Sequence, residues 1–151
     1  MDSSNKMSGN KIRKMKSTSR LYAVQALFQM EHSSLSVDTV CEEFIEFRFG
    51  EADNDLKLVD GNQDFFKNLV SSAVEFQAFI DQMTDRALVE KWPIGRIDPT
   101  LRALFRAAGA EMKALDTPPK LIISEYLSLP IKLLSSLGSC LLYTSPSPRD
   151  S

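Results

Sequence analysis

The 151-residue chain is poor in cysteine and histidine, with two of the first and one of the second. Cys41 and Cys140 lie far apart in the sequence, and neither stands near His32 at metal-ligand spacing, which argues against a disulfide framework and against a zinc site. No apolar run approaches the ~20 residues of a membrane-spanning helix. The polar, basic N-terminus has no apolar stretch of signal-peptide type, so the chain is expected in the cytoplasm and away from membranes. A GxGxxG loop, a P-loop, a nucleophile elbow and metal-spaced ligands are all absent; catalysis and a bound cofactor are therefore not expected. Strand alternation and hairpin turn signals are also lacking, which leaves an all-α domain.

What is there is ordinary in amount and uneven in placement. A hydrophobic share of 43% with 25% charged residues suits one soluble domain with a real core. The first 30 residues carry Lys6, Lys11, Arg13, Lys14, Lys16 and Arg20 against Asp2 alone, a net +5, whereas the remainder is −7. A basic arm on an acidic body suggests an end that binds polyanions.

The helix signals are dense. Ser17, Thr18 and Ser19 offer N-cap oxygens to a first helix running to about His32, with Leu21, Val24, Leu27 and Phe28 facing inward. Ser36 caps a second, with Val37, Val40, Phe44 and Phe47 on one face and Gly50 as its stop. After an acidic loop over 51–61, a long third helix is predicted from about Asn62, its stripe running through Phe65, Phe66, Leu69, Val70, Ala73, Phe76, Ile80 and Met83. A short helix over 85–91 is possible before Trp92 and Pro93. Asp98 and Pro99 start the next, where Leu101, Leu104, Phe105, Ala108 and Met112 form the apolar stripe. Thr117, Pro118 and Pro119 end it and open a last helix with Leu121, Ile122, Tyr126 and Leu129 inward.

In this order the residues resemble the NusB family of transcription antitermination factors. The segment RLYAVQALF over 20–28 is similar to the family's opening helix, and DFFKNLVSSAV over 64–74 to its central one. Arg96, Leu101, Arg102, Arg106 and Ala108, then Glu111-Met112, Pro118-Pro119-Lys120 and ISEY over 123–126, look like its second half. The resemblance spans about residues 11–128. It implies two small packed helical bundles, the second incomplete at its C-terminus, with 1–16 as a basic mobile arm, 17–128 as the helical domain and 129–151 as a non-native or disordered tail. The family's last helices are not recognisable after Tyr126. Residues 129–132 would conceal an Ala-His-Lys or Ala-His-Asn reading in a shifted frame, and 140–150 is what a transposase-type sequencing adapter encodes.

Lys11, Arg13, Lys14, Lys16 and Arg20 cluster before and within the start of a helix, whose free N–H groups also favour anions; phosphate is the natural ligand. The resemblance makes this segment the main RNA contact, although Ser17 and Thr18 stand where the family often has arginines. It implies binding of single-stranded boxA-type leader RNA together with a NusE-type small ribosomal protein, in the service of the transcription elongation complex. Two other readings stay open: the NusB-like domain of a ribosomal RNA cytosine methyltransferase, and a helical protein-interaction module. His32 reads as a partner of helix carbonyls or solvent, Trp92 as core with base stacking as the alternative, and Arg102 and Arg106 as solvated or ion-paired.

Overall fold

The computed structural model describes residues 9–49, 61–88 and 98–129, and all statements below concern these. They form six helices and no strand: α1 Gly9–Glu31, α2 Val37–Phe47, α3 Gln63–Glu75, α4 Gln77–Ala87, α5 Pro99–Ala114 and α6 Pro119–Leu127. Among the described residues no helix is long and apolar enough to cross a membrane. Gly50, the loop over 51–60, the end of the 85–91 segment, Trp92 and the tail beyond Leu129 lie outside them.

Two starts follow the expected capping chemistry, at Ser36 and Asp98, and a third is capped by Asn62, where a helix was expected to begin. Ser36 Oγ accepts the Thr39 N–H at 3.2 Å, Asn62 Oδ1 that of Phe65 at 3.0 Å, and Asp98 Oδ1 that of Thr100 at 2.8 Å, with Pro99 in the first turn of α5. The start of α1 differs. The helix begins at Gly9, and Thr18 and Ser19 sit inside it, their hydroxyls donating to the carbonyls of Lys14 and Met15 one turn back. A hydroxyl satisfied in that way has no need to cap. The straight-chain Lys, Arg and Met residues over 11–16 propagate a helix well, so α1 begins ahead of Ser17, where the first helix was expected to start.

α1 is the central element. It packs with α2, α3 and α5, α3 and α5 also pack on each other, and α4 and α6 lean on α5. The core runs through Leu21, Val24, Leu27 and Phe28 of α1, Val40 and Phe44 of α2, and Phe66, Leu69, Val70 and Ala73 of α3. Cys41 belongs to it, and burial pushes its thiol up to about 11. Phe47 does not, being 62% exposed. Ser19 ties α1 to α3: its Oγ accepts the Asn62 N–H at 2.7 Å, and its one proton is shared between the Met15 carbonyl at 3.0 Å and the Asn62 carbonyl at 2.9 Å.

Three expectations fail in the second half. The long third helix is broken at Phe76, whose φ of −103° and ψ of 17° end α3 and start α4. The new direction places Ile80 over Gly109 of α5, so close that a Cβ on Gly109 would stand 2.6 Å from Ile80 Cγ2. The buried face of α5 is also not the predicted one. Ala103, Ala107, Ala110 and Glu111 face inward, while Leu101 and Met112 are 41% and 44% exposed and Phe105 is only partly buried. Small residues on α5 admit α1, α3 and α4 at short range, and this close approach outweighs the size of the larger side chains. In α6, Ile122 and Tyr126 are buried as expected and Leu129 follows them, but Leu121 is exposed.

Candidate functional site

The expected phosphate-binding residues fall into two groups. Lys11, Arg13 and Lys14 are exposed on the first turns of α1, and Lys16 is half-buried beside them. Arg13 Nη2 donates to Asn10 Oδ1 at 3.2 Å, one turn back, and Lys16 Nζ stands 5.3 Å from the centroid of the Phe65 ring. Helical spacing sets Arg13 and Lys16 on one side and Lys11 and Lys14 on the neighbouring one, so that a broad cationic end projects from the domain.

Arg20 does not lie on that exposed surface. The residue is 3% exposed. Its Nε and Nη2 donate to the two oxygens of Glu111 at 2.8 and 2.6 Å, and Nη1 donates to Glu125 Oε1 at 3.1 Å. Three hydroxyls complete the cluster: Ser17 donates to Glu125 Oε1 at 2.7 Å, Thr117 to Glu111 Oε2 at 2.9 Å and Tyr126 to Glu111 Oε1 at 2.9 Å. The guanidinium also lies over the Phe65 ring, 5.3 Å from its centroid.

The electrostatics follow from this closure. Burial opposes the charge on both partners, but the hydrogen bonds and charge of Glu111 hold Arg20 above its ordinary range, and those of Arg20, with Thr117 and Tyr126, hold Glu111 below its own. Burial, then the Glu111 carboxylate, drives the Tyr126 phenol well up. A paired, fully bonded ion pair of this kind fixes α1 against α5 and α6 and offers no charge to a ligand.

Between the first turns of α1 and the α5–α6 connection lies a groove of about 400 Å³. Ile12, Leu115, Pro118 and Leu121 give it apolar walls, Arg13 and Lys16 a cationic edge, and Asp116 a carboxylate. Asp116 has a φ of 57°, the left-handed conformation that ends α5. Nothing in the sequence periodicity marked this groove. Its residues come from segments about a hundred positions apart, and the only local hint was the Asp-Thr-Pro-Pro stop signal over 116–119.

The remaining candidates have structural partners. Arg102 pairs with Glu31, and Arg106 bridges Glu31 at 3.3 Å and Asp81 at 2.7 Å. His32 Nδ1 lies 2.9 Å from the Phe28 carbonyl and its ring stacks on Phe28. Among the described residues no group of three His, Cys, Asp or Glu side chains could hold a metal ion.

With this geometry in place, comparison with known proteins decides the family. A model described as the NusB family matches residues 17–135. The chain belongs to the NusB family. The match runs past Tyr126, further than the motifs alone indicated. The chain is 39% identical to a Transcription antitermination protein NusB from Maricaulis maris over 117 residues, covering 77% of this chain and 73% of that protein. It is 41% identical to the protein of the same name from Brucella abortus over 111 residues, with 73% and 65% covered, and 37% identical to that of Granulibacter bethesdensis over 126 residues, with 80% and 77% covered. The chain thus spans under two thirds of the Brucella protein's length and about three quarters of the other two. No solved structure matches.

Proposed function

We propose that the protein is a non-catalytic, RNA-binding transcription antitermination factor of the cytoplasm. The observation that carries this reading is the exposed cationic end of α1, Lys11, Arg13 and Lys14 with half-buried Lys16, held on a rigid helix beside an apolar groove. Cations on one side of a helix take successive phosphates, and an apolar groove next to them suits unpaired bases, the form in which sequence-specific RNA recognition mostly occurs. The names of its relatives support a role in antitermination. Within that role the ligand is single-stranded boxA-type leader RNA, the protein partner a NusE-type small ribosomal protein, and the destination the elongation complex on ribosomal RNA operons.

The test is binding of a short boxA-like RNA, followed by fluorescence anisotropy over a salt series, with Lys11, Arg13, Lys14 and Lys16 replaced together by Ala. Each phosphate contact on a single strand contributes about −0.7 to the slope of log affinity against log salt, so losing up to four flattens it by roughly two to three. Unchanged affinity and slope would leave the basic end a solubilising feature and favour a protein-interaction module.

A further inference from the structure

We propose that Ser17 is a positioning residue for the cationic end of α1, acting through its hydrogen bond to Glu125 of α6; this rests on the RNA-binding reading above. Ser17 stands at a boundary. The side chains after it, from Thr18 to Phe28, are buried, whereas Lys11, Arg13 and Lys14 before it are exposed and Lys16 is half-buried. The exposed turns have a reason to unwind. Their four cations lie toward the positive pole of the helix, and its first turn holds no acidic residue to offset them.

What opposes this unwinding is a grip from two other helices at the base of those turns. Ser17 Oγ donates to Glu125 Oε1 at 2.7 Å, a short bond to a carboxylate that joins α1 to a segment 108 positions away. Glu125 is itself held: the same oxygen accepts from Arg20 Nη1 at 3.1 Å, and Arg20 is fixed on Glu111 of α5. From α3, the Phe65 ring takes Lys16, whose Nζ lies 5.3 Å from its centroid. Cations that already hold one arrangement lose less freedom when they meet a strand of phosphates. The Ser17–Glu125 bond therefore raises affinity without touching the ligand. That separates it from the cations: removing one of them lowers both affinity and salt slope, because the slope counts phosphate contacts, whereas removing the grip lowers affinity alone.

The experiment compares the native full chain with Ser17→Ala and Ser17→Thr, by anisotropy against the same short boxA-like RNA over a salt series and by amide hydrogen exchange along α1. Alanine is the strongest helix former, so Ser17→Ala deletes the hydroxyl without disfavouring the helix itself. It should bind about three- to tenfold more weakly, the equivalent of ordering one more side chain on binding, with the native slope. Exchange over 13–16 should quicken while that over 21–28 stays native, a local opening that a general loss of stability would not give. Ser17→Thr keeps a hydroxyl at the same place and should restore both readings. Binding by Ser17→Ala within about twofold of native, unchanged exchange over 13–16, or failure of Ser17→Thr to rescue each overturns the proposal. So does a flattened slope in Ser17→Ala, which would make Ser17 a contact in its own right. In all of these cases a steep slope in the native chain leaves the RNA-binding reading standing. If the native chain does not bind the RNA, that reading falls and this one with it.

Discussion

Arg20 and Glu111 face each other across the α1–α5 interface as a two-pronged ion pair, Nε to Oε1 at 2.8 Å and Nη2 to Oε2 at 2.6 Å, with the carboxylate wholly out of solvent. The two residues are 91 positions apart in the chain, so the pair closes a long loop of sequence. Removing one partner strands the other charge in the core. Arg20→Ala should therefore cost about 3–5 kcal/mol in chemical denaturation, because the uncompensated carboxylate is worse than no pair at all. Arg102→Ala, which removes a pair with Glu31 nearer the surface, should cost about 1 kcal/mol or less. Equal losses would mean that the Arg20 cluster is solvated in the folded protein.

The same cluster sets a pH dependence. Glu111 is held below the ordinary carboxylate range, so the folded state binds its proton less readily than the unfolded chain does. The stability this contributes is present above about pH 4.3, the ordinary glutamate value, and is lost as pH falls through the lower folded value. Tyr126 is displaced upwards, so its contribution is present below about pH 10 and lost as pH rises beyond it. Thermal melts from pH 3 to 10.5 should show both limbs. Glu111→Gln should flatten the acid limb and Tyr126→Phe the alkaline one.

Gly109 tests the packing of α4 on α5. In an exposed helix interior, replacing Gly by Ala stabilises by about 1 kcal/mol. Here the new methyl would meet Ile80 Cγ2 at 2.6 Å, and Ile80 is itself buried and stiff at χ1. Gly109→Ala should therefore destabilise, by about 1–3 kcal/mol. Adding Ile80→Ala should recover part of that loss, a coupling that a double-mutant cycle measures. A stabilised single variant would show that the two helices do not approach this closely.

How much of this was legible in the sequence divides by the range of the interaction. The caps at Ser36, Asn62 and Asp98 depend on atoms within three residues of one another, and they were readable. The all-helical class and the family were readable because many such local signals agree in order. The buried face of α5 was not: Ala103, Ala107 and Ala110 recur at the same helical period as the larger apolar side chains, and only the close approach of α1, α3 and α4 chooses between them. The break at Phe76 carries neither glycine nor proline, and beyond it Ile80 seats on Gly109, a contact between distant segments. Arg20 continued the run of cations in the sequence, and its burial depends on two glutamates from distant helices.

That division yields a last prediction, which separates the cation inside from those outside. Lys11, Arg13 and Lys14 lie in solvent with Lys16 half out, so their joint replacement by Ala removes charge from the surface and almost no packing. Surface changes of this kind are usually within about 0.5 kcal/mol each, so the melting temperature should move little, while the salt slope of RNA binding falls by roughly two to three. Arg20→Lys should do the opposite. It keeps the positive charge but loses the planar fork that meets both oxygens of Glu111, so the melting temperature should drop markedly. Because the guanidinium of Arg20 is engaged by Glu111 and Glu125, the slope measured on the fraction that remains folded should stay that of the native chain. A flattened slope in Arg20→Lys, with the fold intact, would return Arg20 to the RNA surface and contradict its burial.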